Sequence, residues 1–142
     1  MDLFPGLKNL KVLLVDDDEW IRHSLSLFFE GEGFHIMAIE TAEEGMEIVK
    51  EQIFDIIISD YRLPGMNGLE FLRWVRRVSP KAKRILVTGY GNEDIITGAR
   101  EIGIRDCIWK PFSSSAFEDS IKQMVQPQAD SHEHGTRELI YG

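Results

Sequence analysis

The chain has 142 residues, 43% of them hydrophobic, which fits one folded domain with a sizeable core and excludes a wholly disordered chain. Its 24 acidic residues outweigh 16 basic ones for a formal charge of −8, so the domain is a poor candidate for gripping a nucleic-acid backbone by itself. The lone cysteine, Cys107, excludes an internal disulfide framework and suits a reducing compartment.

Met1 to Gly6 lack the basic stretch and apolar core of a signal peptide. No apolar run approaches the roughly 18 residues needed to span a bilayer. A soluble cytoplasmic protein without membrane contact is the expectation. Lys11 to Val15 is continuously apolar after its first residue and predicts a buried strand, ending in the acids Asp16, Asp17, Asp18 and Glu19. Ile21, Leu25 and Phe28 then recur at helical spacing over Trp20 to Glu30, and Gly31 and Gly33 break that helix. Phe34 to Ile39 predicts a second strand. Thr41 with Glu44 three residues on reads as a capping box for a helix carrying Ala42, Met46 and Val49 on its apolar side.

Residues 54–59 predict a third strand, buried on both faces because Ile56, Ile57 and Ile58 are consecutive and β-branched. It stops at the carboxylate of Asp60, and the turn Pro64-Gly65-Met66-Asn67-Gly68 follows. Leu69, Leu72 and Val75 mark a third helix that ends before Pro80. Arg84 to Val87 is a fourth strand with Thr88 at its end. Asn92 can cap a helix that runs through Ile95, Ala99 and Ile102, and Gly103 stops it. Cys107 to Trp109 is a short fifth strand ending at Lys110-Pro111. Ser113 to Val125, with Phe117, Ile121 and Met124, is the last helix.

Five strands alternating with five helices predict an α/β fold: a five-stranded parallel sheet with helices on both faces, in the flavodoxin-like order 2-1-3-4-5. Ligand chemistry in such sheets gathers beyond the carboxyl ends of the strands. There the first strand delivers Asp16 and Asp17, the third Asp60, the fourth Thr88 and the fifth Lys110. Carboxylates brought together oppose one another's ionisation unless a cation is present. A hard divalent ion such as Mg²⁺ answers them, using one or two carboxylates and a phosphate oxygen. Carboxylate nucleophile, Mg²⁺, ammonium and hydroxyl together describe phosphoryl transfer to an aspartate.

The residues VLLVDDDEW (12–20), DIIISDYRLPGMNGLEFL (55–72), the Thr88-Gly89 step and WKPF (109–112) resemble the receiver domain of a two-component response regulator, over residues 10–126. The resemblance implies that Asp60 is the phosphoacceptor. It implies that Asp17 ligates Mg²⁺ directly, Asp16 does so through water, and the Arg62 carbonyl is a further ligand. It also implies that Thr88 bonds the phosphoryl group, that Lys110 pairs with a phosphoryl oxygen, and that Pro111 follows a cis peptide bond. Arg62 and Tyr90 occupy the positions that flank the phosphoryl group and help set its lifetime; both are bulky, which suggests a moderately long-lived phosphoryl group. One departure stands out: three residues before the lysine the family carries Tyr or Phe as a rotating switch, and here the residue is Cys107. Trp109 is expected on the face of the fifth strand opposite Cys107.

The implied partners are a sensor histidine kinase or phosphotransfer protein and a downstream effector, either a separate protein or a fused domain. A homodimer is compatible with the resemblance. The implied output face is helix four, strand five and helix five. The chain is not a conventional enzyme; it would promote its own aspartyl phosphorylation and dephosphorylation. Residues 1–126 read as the receiver and 127–142 as a polar tail, so a stand-alone receiver and the N-terminal piece of a longer regulator both stay open. A second reading is a vestigial receiver acting as a constitutive binding or dimerisation module; the intact set of site residues opposes it and Cys107 favours it. A flavodoxin relative fails because acids, not a phosphate-cradling loop, follow strand one. Elsewhere bland roles are expected. Asp18 and Glu19 cap the first helix, Cys107 is an inert small residue rather than a redox sensor, His23 is solvated, and His132 and His134, which could bind a metal, are expected to have no role in a flexible tail. Arg73, Arg76 and Arg77 form a solvated basic edge.

Overall fold

Ile56, Ile57 and Ile58 expose no surface at all, and the sheet is built around them. The computed structural model describes residues 9–89, 93–104 and 106–123. Within them the elements run β1 (Lys11–Val15), α1 (Glu19–Gly31), β2 (His35–Ile39), α2 (Ala42–Glu51), β3 (Ile56–Asp60), α3 (Gly68–Val78), β4 (Lys83–Thr88), α4 (Glu93–Glu101), β5 (Asp106–Trp109) and α5 (Ser114–Lys122). The strands form one parallel sheet in the order β2-β1-β3-β4-β5, as the alternation of elements predicts.

Strand alternation splits the apolar residues into two layers. Leu13, Val15, Ile57 and Leu86 meet Phe71, Leu72 and Val75 of α3 and Ile95 and Ala99 of α4. On the other side, Ile58, Val87 and Ile108 meet Leu25 and Phe29 of α1 and Phe117 and Ile121 of α5. Phe29 and Phe117 pack edge to face there, with ring centroids 6.1 Å apart. The strand ends, not the loops alone, therefore set where the polar residues of the site can stand.

Several expectations are corrected. β3 starts at Ile56 and includes Asp60, which pairs in register with Val87; the carboxylate sits on the last strand residue rather than on the first residue of a turn. β2 starts at His35 rather than Phe34, while its place at the edge of the sheet follows the predicted order. α1 runs through Gly31 and closes at Gly33, whose N–H bonds Glu30 while that of Phe34 bonds Phe29. The box expected at Thr41 is half formed: its hydroxyl oxygen accepts from the Glu44 N–H, but Glu44 turns its carboxylate to the Thr41 hydroxyl instead of the backbone. The complete capping box is at Asn67 and Glu70, at the start of α3. α5 starts at Ser114, and Ser113 makes no side-chain cap. Trp109 is not opposite Cys107: residues two apart in a strand share a face, and the neighbour between them, Ile108, packs into the α1/α5 layer while Cys107 packs against the other. Asn92, Tyr90, Met124, Val125, His132, His134 and the expected tail lie outside the described residues.

Candidate functional site

The site begins with how β1 ends. The Asp16 N–H bonds the Ile39 carbonyl of β2. Its carboxylate accepts from the Asp18 N–H at 2.9 Å. Its carbonyl accepts from Arg22 of α1 at 2.8 Å. Asp16 is thus fixed at three points and is only 1% exposed. Asp18 caps α1 by accepting from the Trp20 and Ile21 N–H groups, as expected for an acid at a helix start. Asp17, between them, is exposed and lines a cleft of about 740 Å³ together with Asp60, Arg62, Thr88 and Lys110. Trp20, 74% exposed, is on the rim of the same cleft.

Asp60 is held from behind. The Ser59 hydroxyl donates to the Asp60 carbonyl at 3.0 Å, and the Tyr61 N–H bonds the Val87 carbonyl. Gly68, the first residue of α3, packs against that same Asp60 carbonyl; a Cβ here would be driven into its oxygen and would also lie 2.8 Å from the Ser59 hydroxyl. The Gly68 N–H bonds the Tyr61 carbonyl, closing the β3–α3 loop on itself. Glu43 of α2 steadies the loop by accepting from the Met66 N–H at 3.0 Å. Gly68, Glu43 and Arg22 shape the site and were not singled out from the sequence as site residues. Only Gly68 had a local signal, a glycine closing the turn after a carboxylate.

Oxygens of Asp16, Asp17 and Asp60 lie within 4.8 Å of one another. Lys110 reaches across from the end of β5 and places Nζ 3.2 Å from Asp60 and 3.3 Å from Asp16. Burial and the Asp16 charge push the Asp60 carboxyl up to about 6, with Lys110 acting the other way. Burial likewise raises Asp16, against its hydrogen bond from Asp18 and the Lys110 charge. Burial works against the Lys110 ammonium, but the two carboxylates overcome it and hold the lysine above its ordinary value. One ammonium therefore faces three carboxylates, a donor set made of hard oxygens with a deficit of positive charge. These residues fit a divalent cation of the Mg²⁺ kind.

Thr88, 1% exposed, ends β4 beside Asp60's strand, and the Lys110 N–H bonds its carbonyl at 2.8 Å. The Lys110–Pro111 peptide is cis. All six residues singled out from the sequence, Asp16, Asp17, Asp60, Arg62, Thr88 and Lys110, come to one edge of the sheet. Cys107 lies lower on β5, in register with Leu86, whereas Trp109 is in register with Thr88. Burial, and then the Asp106 charge, push the Cys107 thiol up to about 11. At pH 7.5 alkylation of Cys107 by iodoacetamide should be more than about a hundredfold slower than that of a free thiol, rising with pH. An intact-mass time course checks this, and fast labelling at neutral pH would contradict the inert role.

A five-stranded parallel sheet with an acidic pocket, a lysine and a hydroxyl at its carboxyl edge defines a flavodoxin-like domain equipped for phosphoryl chemistry. The sequence profile of the response regulator receiver domain matches residues 12–122, and the chain belongs to that family. It is 35% identical over 122 residues to the hydrogenase transcriptional regulatory protein HoxA of Cupriavidus necator, covering 85% of this chain and 25% of that protein. It is 30% identical over 119 residues to sporulation initiation phosphotransferase F of Bacillus subtilis, covering 84% of this chain and 96% of that protein. The crystal structure of a CheY-like response regulator receiver domain protein from Methanospirillum hungatei superposes with a TM-score of 0.80 at 29% identity, covering 87% of this chain and 99% of that one. The chain thus spans about a quarter of the hydrogenase regulator and nearly all of the phosphotransferase. It is a receiver domain of the two-component type, and the vestigial alternative is not favoured. Among the described residues no helix is long and apolar enough to cross a membrane.

Proposed function

We propose that Asp60 accepts a phosphoryl group from the phosphohistidine of a sensor kinase or phosphotransfer protein. The observation that carries this is the shared lysine: Nζ of Lys110 stands 3.2 Å from Asp60 and 3.3 Å from Asp16, in a cleft where three carboxylates converge. An Asp60 oxygen attacks phosphorus, the phosphorus–nitrogen bond breaks, and the imidazole leaves as the neutral ring after taking a proton. Lys110 then pairs with a phosphoryl oxygen and Thr88 donates its hydroxyl to another. Asp16, Asp17, Asp60 and the Arg62 carbonyl would hold Mg²⁺. That ion supplies the positive charge that lets carboxylates and phosphoryl oxygens share the cleft. Arg62, which lines the cleft, and Tyr90, two residues past Thr88 in the sequence, are the residues we assign to setting water access to the acyl phosphate.

Phosphorylation shifts a two-state equilibrium and changes the surface made by α4, β5 and α5. Cys107 is too small to act as the family's rotating aromatic. We assign that part to Trp109, which is on the same face as Cys107 and in register with Thr88. The receiver unit is taken as 1–126 with 127–142 as a polar tail, and its output goes to a fused effector domain or a separate protein, with the cytoplasm as its compartment. The test is incubation with Mg²⁺ and acetyl phosphate. A gain of one phosphate in mass is expected for the native chain and none for Asp60→Asn. A gain that survives the substitution places the acceptor elsewhere, and no gain in either refutes the proposal.

A further inference from the structure

The segment that makes up most of α3 and all of β4 is one-sided in charge. Residues 71–92 contain six basic side chains and no acidic one, in a chain of formal charge −8. Arg73, Arg77 and Lys81 are exposed, as a solvated edge should be. Lys83 is taken by Asp106, its ion-pair partner on β5. Arg84 and Arg76 behave differently. Arg84, on the α3/α4 side of β4, is half-buried and donates from Nη1 to the Leu72 carbonyl of α3 at 3.1 Å and from Nη2 to the Ile102 carbonyl after α4 at 2.6 Å.

The end of α4 is what brings the second arginine in. Gly103 has φ +81, its N–H bonds Arg100, and the Ile104 N–H bonds Ala99, the paired bonds of a Schellman ending. A Cβ on Gly103 would lie 3.2 Å from Nη2 of Arg84 and 3.5 Å from Nη1 of Arg76. Two guanidinium groups thus stand over one point, from β4 and from α3. Among the described residues no carboxylate pairs with either. Among the described residues, Arg84 uses two of its five N–H donors on backbone carbonyls and keeps three, and Arg76 keeps its own. Burial, and after it the neighbouring Arg76 charge, lower the Arg84 guanidinium from its ordinary value.

We propose that Arg76 and Arg84, converging over Gly103, form a binding site for a doubly charged tetrahedral oxyanion of the phosphate class. A single carboxylate would neutralise only one of the two charges, whereas a divalent oxyanion neutralises both and offers oxygens in both directions. Because Arg84 also holds the Leu72 and Ile102 carbonyls, the ligand would bind where α3, β4 and the end of α4 are tied together. The inference is independent of the acceptor role of Asp60.

The probe is sodium phosphate, titrated into the full chain in EDTA at ionic strength held constant with sodium chloride. EDTA leaves the acidic pocket repelling the anion, so the two sites are separated. A saturable shift of the Gly103 amide resonance is expected, with a concentration-dependent rise in melting temperature. Arg76→Gln, at an exposed position, should weaken the affinity at least fivefold. Arg84→Lys, which keeps a charge but not the fork, should do the same. The response should persist unchanged in Asp60→Asn. A non-saturable shift, undiminished binding in Arg76→Gln, or an equal response to acetate would overturn the proposal.

Discussion

Asp60→Asn is expected to raise the stability of the metal-free protein while abolishing phosphate incorporation. In EDTA the pocket holds Asp16, Asp17 and Asp60 against the single ammonium of Lys110. The Asp60 carboxyl is held at about 6, above the 3.8 of an ordinary aspartate. An acid raised on folding binds its proton more tightly in the native state. Its ionisation therefore costs stability as pH climbs from about 4 through about 6, and above that the cost is fully present. Asparagine removes the charge and keeps the shape. At pH 7.5 a gain on the order of 1–3 kcal/mol is expected, seen as a higher midpoint in urea, and it should vanish near pH 4. Mg²⁺ should narrow the gap by stabilising the native protein more than the variant. A destabilised variant in EDTA would mean that the attraction of Lys110 outweighs the crowding of the carboxylates.

Gly68→Ala is expected to be the most damaging single methyl addition near the site. The new Cβ would collide with the Asp60 carbonyl, a backbone atom that cannot rotate away, and would also press on the Ser59 hydroxyl. Either α3 lifts from the sheet or the end of β3 shifts, and both move the nucleophile. A loss of about 3 kcal/mol is expected in urea unfolding, with acetyl phosphate labelling slowed at least tenfold. Gly31→Ala is the control. It lies at the end of α1 with no atom within 4 Å of the added Cβ, so it should be neutral or gain up to about 1 kcal/mol. A stable, normally labelled Gly68→Ala protein would show that the close approach is not what fixes Asp60.

Strand order and the convergence of Asp16, Asp17, Asp60, Thr88 and Lys110 were legible in the sequence because each is a property of a strand end. The apolar runs Val12–Val15 and Ile56–Ile58 mark strands buried on both faces, and the next polar residue must surface at the carboxyl edge. What was not legible depends on contacts between distant segments. Nothing in the spacing of Glu43 says that it will brace Met66, 23 residues away. Nothing around Arg22 announces the Asp16 carbonyl. The capping box went to Asn67 rather than Thr41 because side-chain rotamers, not residue types, decide where the glutamate carboxylate lands. Trp109 was misplaced by an error of alternation: period two puts it beside Cys107, not across from it. Arg76 looked like part of a solvated edge because only the fold brings it over Gly103.

Gly68, behind Asp60, and Gly89, on the wall of the cleft, differ in the room around them. At Gly68 a single added carbon has nowhere to go, whereas at Gly89, just past Thr88, it would meet among the described residues only the Lys110 Cβ at 3.9 Å. One wall of the cleft is seated hard against backbone and the other has slack. Under the proposed phosphorylation of Asp60, the back wall at Gly68 would serve as the anvil and a displacement would pass toward Thr88. On that proposal the Asp60 wall stays still and the Thr88 wall carries the message.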